Sequence, residues 1–245
     1  MFIDVKSRNE PVMRADADEH FIALAPATGY GAGMARALSE SGWRGSPELW
    51  LDAAYRALIE GGVDAVRIQP LARQLKLSRT SFYWFFKDRE ELLQALVGRW
   101  RDKNTGSIVG QAEAYAESIA EAMLNVFDCW YDADLFDSQF EFALRSWALQ
   151  SPEILAEVRE ADRLRLDALA GMLVRFGHDR DAADVAARTI YLVQIGYISM
   201  QAVESVAERM ARVARYVAIF TGRKPRQREL DRFFARRGFV PATDQ

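Results

Sequence analysis

Arg79, Thr80, Ser81, Tyr83, Trp84 and Lys87 fall within nine residues and bring together cations, hydroxyls and aromatic rings. These are the side chains that read a nucleic acid duplex. An arginine at the position of Arg79 can form two hydrogen bonds with a guanine edge, worth about 1–3 kcal/mol of discrimination between bases. Thr80 and Ser81 can donate to phosphates or touch a thymine methyl, and Tyr83 and Lys87 are placed to hold the phosphate backbone. Trp84 divides evenly between packing and reading.

The residues around this segment supply the elements that would position it. Pro70 suits the first turn of a short helix in which Leu71 and Leu75, four apart, face inward. Lys76-Leu77 makes a brief turn, Ser78 is a natural N-cap, and Phe82 and Phe86 lie one turn apart on the next helix. Phe82 and Phe86 then pack on Leu71, Leu75 and Leu77, which leaves Arg79, Thr80, Tyr83, Trp84 and Lys87 outward. Asp88 with Glu91 forms a capping pair for the following helix. Two short helices joined by a tight turn, the second with a polar and basic outer face, make a helix-turn-helix.

Charge along the chain agrees. The protein has 245 residues and a net charge of -3, but residues 46–103 carry 10 Lys/Arg against 8 Asp/Glu. From Ile68 to Lys87 there are four cations and no acid. A local basic stretch in an acidic chain points to a polyanion better than overall charge does. Composition is that of an ordinary globular protein, 50% hydrophobic and 27% charged. The single cysteine, Cys129, allows no internal disulfide and fits a reducing, cytoplasmic setting. With His20 and His178 as the only histidines, a Cys/His zinc site is excluded. The longest uncharged apolar stretch, Thr189 to Val203, is too short for a membrane span, and no secretory signal opens the chain.

Residues 1–45 show no sustained period and read as a flexible arm, with one short helix near Met34–Ser41. Met34 is an alternative start to Met1. Gly29, Gly31 and Gly33 after Phe21–Ala25 imitate a dinucleotide loop, but Pro26 and the lack of any following strand argue against it. From Ser46 onward the period is helical. Helices are expected from Ser46-Pro47 to Gly61-Gly62, near Glu90–Arg101, over Gln111–Tyr131, around Phe136–Trp147, from Ser151-Pro152 to Gly177, and over roughly Asp181–Ser205 and Val206–Gly222. The fold class is all-α.

Two stripes in the last pair step by four and three residues: Val185, Thr189, Leu192, Gly196, Ser199, Val203, and Val206, Met210, Val213, Val217, Phe220. Such a seam either packs inside one bundle or faces a second copy of the chain. Aromatic residues crowd the central helices, and Phe127, Trp130, Phe140, Trp147 and Tyr191 read either as an aromatic-rich core or as the lining of a mostly apolar ligand site. Arg145 there would meet an anionic ligand or pair with Glu141 one turn earlier. Asp132, Asp134, Asp137 and Glu141 form an acidic group that reads as a solvated loop or as an oxygen-ligand cation site. The tail from Arg223 to Arg237 is basic, and Phe233 and Phe234 would dock a short amphipathic helix on the body, with extra DNA contact as the minor alternative.

Residues 46–104 resemble the DNA-binding domain of the TetR (tetracycline-repressor-like) family. The likeness lies in Leu71-Ala72, Leu77-Ser78, Ser81-Phe82-Tyr83, Phe86, Lys87 and Leu92, and above all in Tyr83-x-x-Phe86-x-x-Arg89-x-x-Leu92, after a helix ending Gly61-Gly62-Val63. The family usually has a phosphate-contacting lysine where Arg89 stands, so the resemblance adds Arg89 to the DNA-binding residues. It usually has glycine at Lys76, and often at Thr80, so Lys76 must take a less comfortable backbone. The resemblance implies an N-terminal three-helix DNA-binding domain over 46–104 and a larger helical ligand-binding and dimerisation bundle over 105–222, between the arm read over 1–45 and the basic tail read over 223–245. It implies a homodimer on a palindromic double-stranded DNA operator, released by a small-molecule effector that the sequence does not identify. No catalytic residue, metal, cofactor or membrane contact is expected. The competing readings are an all-α metal-dependent enzyme built on the acidic group, and a helix-turn-helix used only to dock other proteins.

Overall fold

The computed structural model describes residues 45–239. The arm, the glycine-rich loop at Gly29–Gly33, the helix near Met34 and the choice of start residue lie outside the described residues.

Local signals start and stop most helices where the sequence places them. Helix α1 (Pro47–Gly61) begins under Ser46, whose hydroxyl accepts from the Leu49 amide at 3.3 Å, and ends at Gly62 with φ 71°. A 3-10 turn (Val63–Ala65) leads to α2 (Ile68–Leu75), closed by Lys76 in the left-handed region at φ 56°. The discomfort expected of a non-glycine residue in this turn is therefore present in the backbone. Helix α3 (Arg79–Phe82) is shorter than the period suggested; it holds one α-turn and continues to Phe86 in tighter turns. Helix α4 (Arg89–Trp100) starts at Asp88, which accepts from the Glu91 amide at 2.9 Å while Glu91 reaches back to the Lys87 amide.

A π-helical turn (Arg101–Thr105) joins α4 to α5 (Gly106–Glu113). The helix expected over Gln111–Tyr131 is in fact two, because Ser118 caps a new start and the chain breaks between them; Tyr115 sits in the break, exposed. Then follow α6 (Ile119–Tyr131), α7 (Ser138–Ala148), α8 (Pro152–Arg175), α9 (Arg180–Ser199), α10 (Val206–Thr221) and α11 (Gln227–Arg236). There is no strand among the described residues. The fold is all-α.

The core has two parts. One, around Trp50, Leu71, Phe82, Phe86, Leu92 and Trp100, continues into Phe140, Leu144, Ile154 and Val158, so the head shares its interior with α7 and the first half of α8. The other fills the space between α5, α6, the second half of α8, α9, α10 and α11. The basic tail is a packed element: Phe233 is fully buried, and Arg228 pairs with Glu117 just before α6, while Arg232 and Arg236 pair with Glu121 and Asp128 along it.

Candidate functional site

The second helix of the helix-turn-helix, α3, is held by its apolar face. Phe82 is fully buried, edge-on to Trp50 at 5.2 Å and stacked with Phe86 at 5.5 Å. With that face anchored, the opposite one is turned to solvent: Arg79, Thr80, Tyr83, Trp84 and Lys87 are all exposed. The Arg79 guanidinium donates to the Tyr83 hydroxyl at 3.1 Å and lies 5.9 Å from its ring centre, so the two form one surface unit. Two of the residues expected on this face are engaged elsewhere. Ser81 is buried, its hydroxyl donating to the Ser78 carbonyl at 2.6 Å. Arg89 donates from Nε to the Val66 carbonyl and from Nη2 to the Val63 carbonyl, each at 2.6 Å. At that position the guanidinium braces the 3-10 turn against α4, a fork geometry that a lysine could not copy.

Residues 51–96 match the model of bacterial regulatory proteins of the tetR family, a span that runs through this helix-turn-helix. Over these residues the chain carries a DNA-binding domain of the tetR type. It is a transcriptional regulator of the helix-turn-helix, DNA-binding kind. The fold extends beyond the matched segment. A TetR transcriptional regulator from Legionella pneumophila superposes with a TM-score of 0.51 at 15% identity, over 78% of this chain and 97% of that one. A transcriptional regulator from Rhodococcus sp. superposes with a TM-score of 0.50 at 15% identity, over 80% and 100%. No curated protein matches the sequence.

The head is fastened to the body by a buried ionic network. Glu141 on α7 and Arg165 on α8 are both fully buried and pair at 2.7 Å. The Glu141 carboxylate also accepts from Trp100 Nε1 at 2.8 Å, Asn104 Nδ2 at 3.0 Å and Arg145 Nε at 2.9 Å. Arg165 donates further to Thr105 Oγ1 at 3.0 Å and to the Tyr191 hydroxyl at 2.9 Å. Arg145 also bonds the Tyr191 hydroxyl and pairs with Asp162. Burial raises the Glu141 carboxyl, but Arg165 and Arg145 overcome it and bring its pKa down to about 2. One network thus ties the end of α4 and the π-turn to α7, α8 and α9. The π-turn is what turns Asn104 inward; its side chain also donates to the Asp137 carbonyl and accepts from the Asp137 amide, both at 3.0 Å.

The acidic group is not gathered into a cation site. Asp137 caps α7 and accepts from Tyr55 at 2.6 Å, Asp132 pairs with Arg237 at 2.8 Å, and Glu141 belongs to the buried network. Among the described residues no three His, Cys, Asp or Glu side chains could share a metal ion. Burial pushes the Cys129 thiol up to about 12, so it stays protonated near neutrality.

A cleft of about 680 Å³ opens between the end of α1 with its following turn (Leu58–Asp64), one face of α7 including Phe142 and Trp147, and the junction of α9 and α10 at Gln194, Tyr197, Glu204 and Arg209. A smaller recess of about 30 Å³ is walled by Phe127, Trp130, Tyr131 and Phe220, and shares Gln194, Tyr197, Glu204 and Arg209 with the cleft. Phe127, Trp130 and Trp147, expected at a ligand site, therefore do line cavities. Phe140, Arg145 and Tyr191 line neither of them. Phe140 is core, edge-on to Tyr55 at 5.1 Å, and the polar ends of Arg145 and Tyr191 are held by the Glu141–Arg165 network. Spacing alone missed Arg165, Asn104 and Glu204. A signal existed for the first: Arg165 is a charge on the same α8 stripe as Val158 and Leu169, with a matching acid at Glu141.

Proposed function

We propose that this tetR-family regulator is a dimeric, cytoplasmic repressor that binds a palindromic operator and leaves it when a small molecule occupies the cleft. The observation that carries the reading is the exposed face of Arg79, Thr80, Tyr83, Trp84 and Lys87 on a helix anchored by Phe82 and Phe86. A helix so presented fits the major groove, and two copies related by a two-fold axis would meet two half-sites.

Dimerisation is supported by α9. Val185 and Leu192 are 64% and 63% exposed, and Met200 and Val203 just beyond are 81% and 99% exposed. Val185 and Leu192 lie on the four-three stripe, Met200 and Val203 extend the apolar surface past the helix end, and a helix pair from a second copy would cover them. Effector control is supported by the walls of the cleft. One wall belongs to the head, at Gly61–Asp64, and another to α9 and α10. An occupant favouring one head position shifts the two heads' spacing, and operator and effector then oppose each other by the same coupling free energy.

Gel shifts and footprinting on duplexes from around the protein's own gene test the reading. The expected result is a two-fold symmetric footprint whose affinity falls steeply with salt. Binding no tighter than to random duplex overturns it, and salt-insensitive binding favours a protein-docking role for the head.

A further inference from the structure

Two residues lining the recess beside the cleft each carry a buried polar atom with no partner in the protein. Trp130 is 6% exposed and its Nε1–H has nothing to donate to; Glu204 Oε2 is buried with nothing to accept from. Each such atom left unmet costs about 1–3 kcal/mol, so two of them on residues that line one recess point to a group that would meet both. The recess, at about 30 Å³, has room for a water-sized group and none for a ring. The adjoining cleft, at about 680 Å³, has the size of sites that hold drug-sized molecules.

Charge narrows the chemistry. Glu204 Oε1 is already paired with Arg212 at 2.7 Å, and the Arg209 guanidinium lies 4.5 Å from the Tyr131 ring centre while donating to the Trp130 carbonyl at 3.0 Å. The carboxylate is thus balanced, so no cation is required, and an anion in the recess would face Glu204 Oε2. What remains is a neutral group that accepts from an indole N–H and donates to a carboxylate oxygen. A hydroxyl does both with one atom.

We propose that the cleft binds a neutral, largely apolar molecule bearing a hydroxyl, with that hydroxyl in the recess between Trp130 Nε1 and Glu204 Oε2 and the body of the molecule in the cleft. This names the effector class and rests on the effector-responsive reading above. Recognition is sharp because the site penalises the analogue that lacks either hydrogen bond.

The test uses 2-naphthol, its methyl ether and 2-naphthoate as probes in calorimetric titrations of the full-length protein, without DNA. Saturable binding of 2-naphthol is expected, with the ether about tenfold weaker because it cannot donate to Glu204, and the anionic naphthoate weaker still. Glu204→Gln and Trp130→Phe should each weaken 2-naphthol about tenfold, and Trp130→Phe should leave the selectivity of Glu204 for naphthol over ether in place. Glu204 is partly exposed, so its variant keeps the comparison valid should Trp130→Phe fold poorly. Absence of 2-naphthol binding, with the recess holding water only, or equal affinity for naphthol and ether, overturns the proposal. A parallel gel shift separates the two ideas: hydroxyl-dependent binding that leaves DNA affinity unchanged sustains the site and sinks effector control.

Discussion

Two regions of this molecule leave large apolar side chains in solvent, and they do so in different company. On the head, Tyr83 and Trp84 are 47% and 60% exposed and stand among Arg79, Thr80 and Lys87. On α9, Val185 and Leu192 stand beside Asp184 and Arg188, which pair with each other at 2.8 Å. The first surface carries cations whose charge is not taken up on the helix itself, and Arg79 lies on an aromatic ring. The second has already neutralised its charge. A polyanion fits the first and a like apolar helix fits the second, so charge context, more than exposure, separates a DNA face from a protein face.

The largest expected effect strikes the support common to both surfaces. Arg165 joins Glu141, next to the head, to Tyr191 on α9, so Arg165→Met should cost about 3–5 kcal/mol in urea unfolding, because it leaves the buried carboxylate only Arg145 for a counter-charge, and Arg145 is shared with Asp162. The same network sets an acid limit. Because the folded Glu141 pKa is about 2 and its ordinary value is 4.5, its contribution is full above about pH 4.5 and is lost as pH falls towards 2. Glu141→Gln should flatten that part of the stability–pH curve.

Next in size, Leu192→Asp should leave the far-ultraviolet circular dichroism unchanged and convert a dimer to a monomer in light scattering. Operator affinity should then fall by about a hundredfold or more as the two heads lose their linkage. A dimer that survives the change would break the comparison at α9. On the head, Arg79→Ala should relax base preference at one position by about 1–3 kcal/mol, read by competition among variant operators. The smallest change is Lys87→Ala, which should weaken specific and random duplex alike and lower the salt slope by about one. If Arg79→Ala and Lys87→Ala behave identically, the division of that face into base and backbone contacts is wrong.

Much of the fold was legible before any coordinates, because its signals are local. Ser46, Asp88 and Ser151 mark helix starts through bonds that span three residues, and Phe82 with Phe86 defines the buried face of α3 through one helical turn. The site was legible in part. Arg79, Thr80, Tyr83, Trp84 and Lys87 are turned outward, whereas Ser81 and Arg89 are held by carbonyls inside the head. Arg89 contacts residues 23 and 26 positions away, a distance at which spacing says nothing.

The same division explains the two stripes of the last helix pair. Period alone left them open to a core or to a partner, since a four-three pattern records that one face of a helix is apolar and nothing about what covers it. Val213 and Val217 on α10 are fully buried against the body, while Leu192 on α9 is left in solvent. Sequence by itself settled the all-helical class, most helix starts and the likeness of the head, because backbone geometry and neighbouring side chains decide those. Only the tertiary structure decided which apolar face is covered, that Arg145 and Tyr191 serve a buried ionic junction, and that Trp130 and Glu204 meet at one recess. Those outcomes depend on residues brought together from distant parts of the chain by packing.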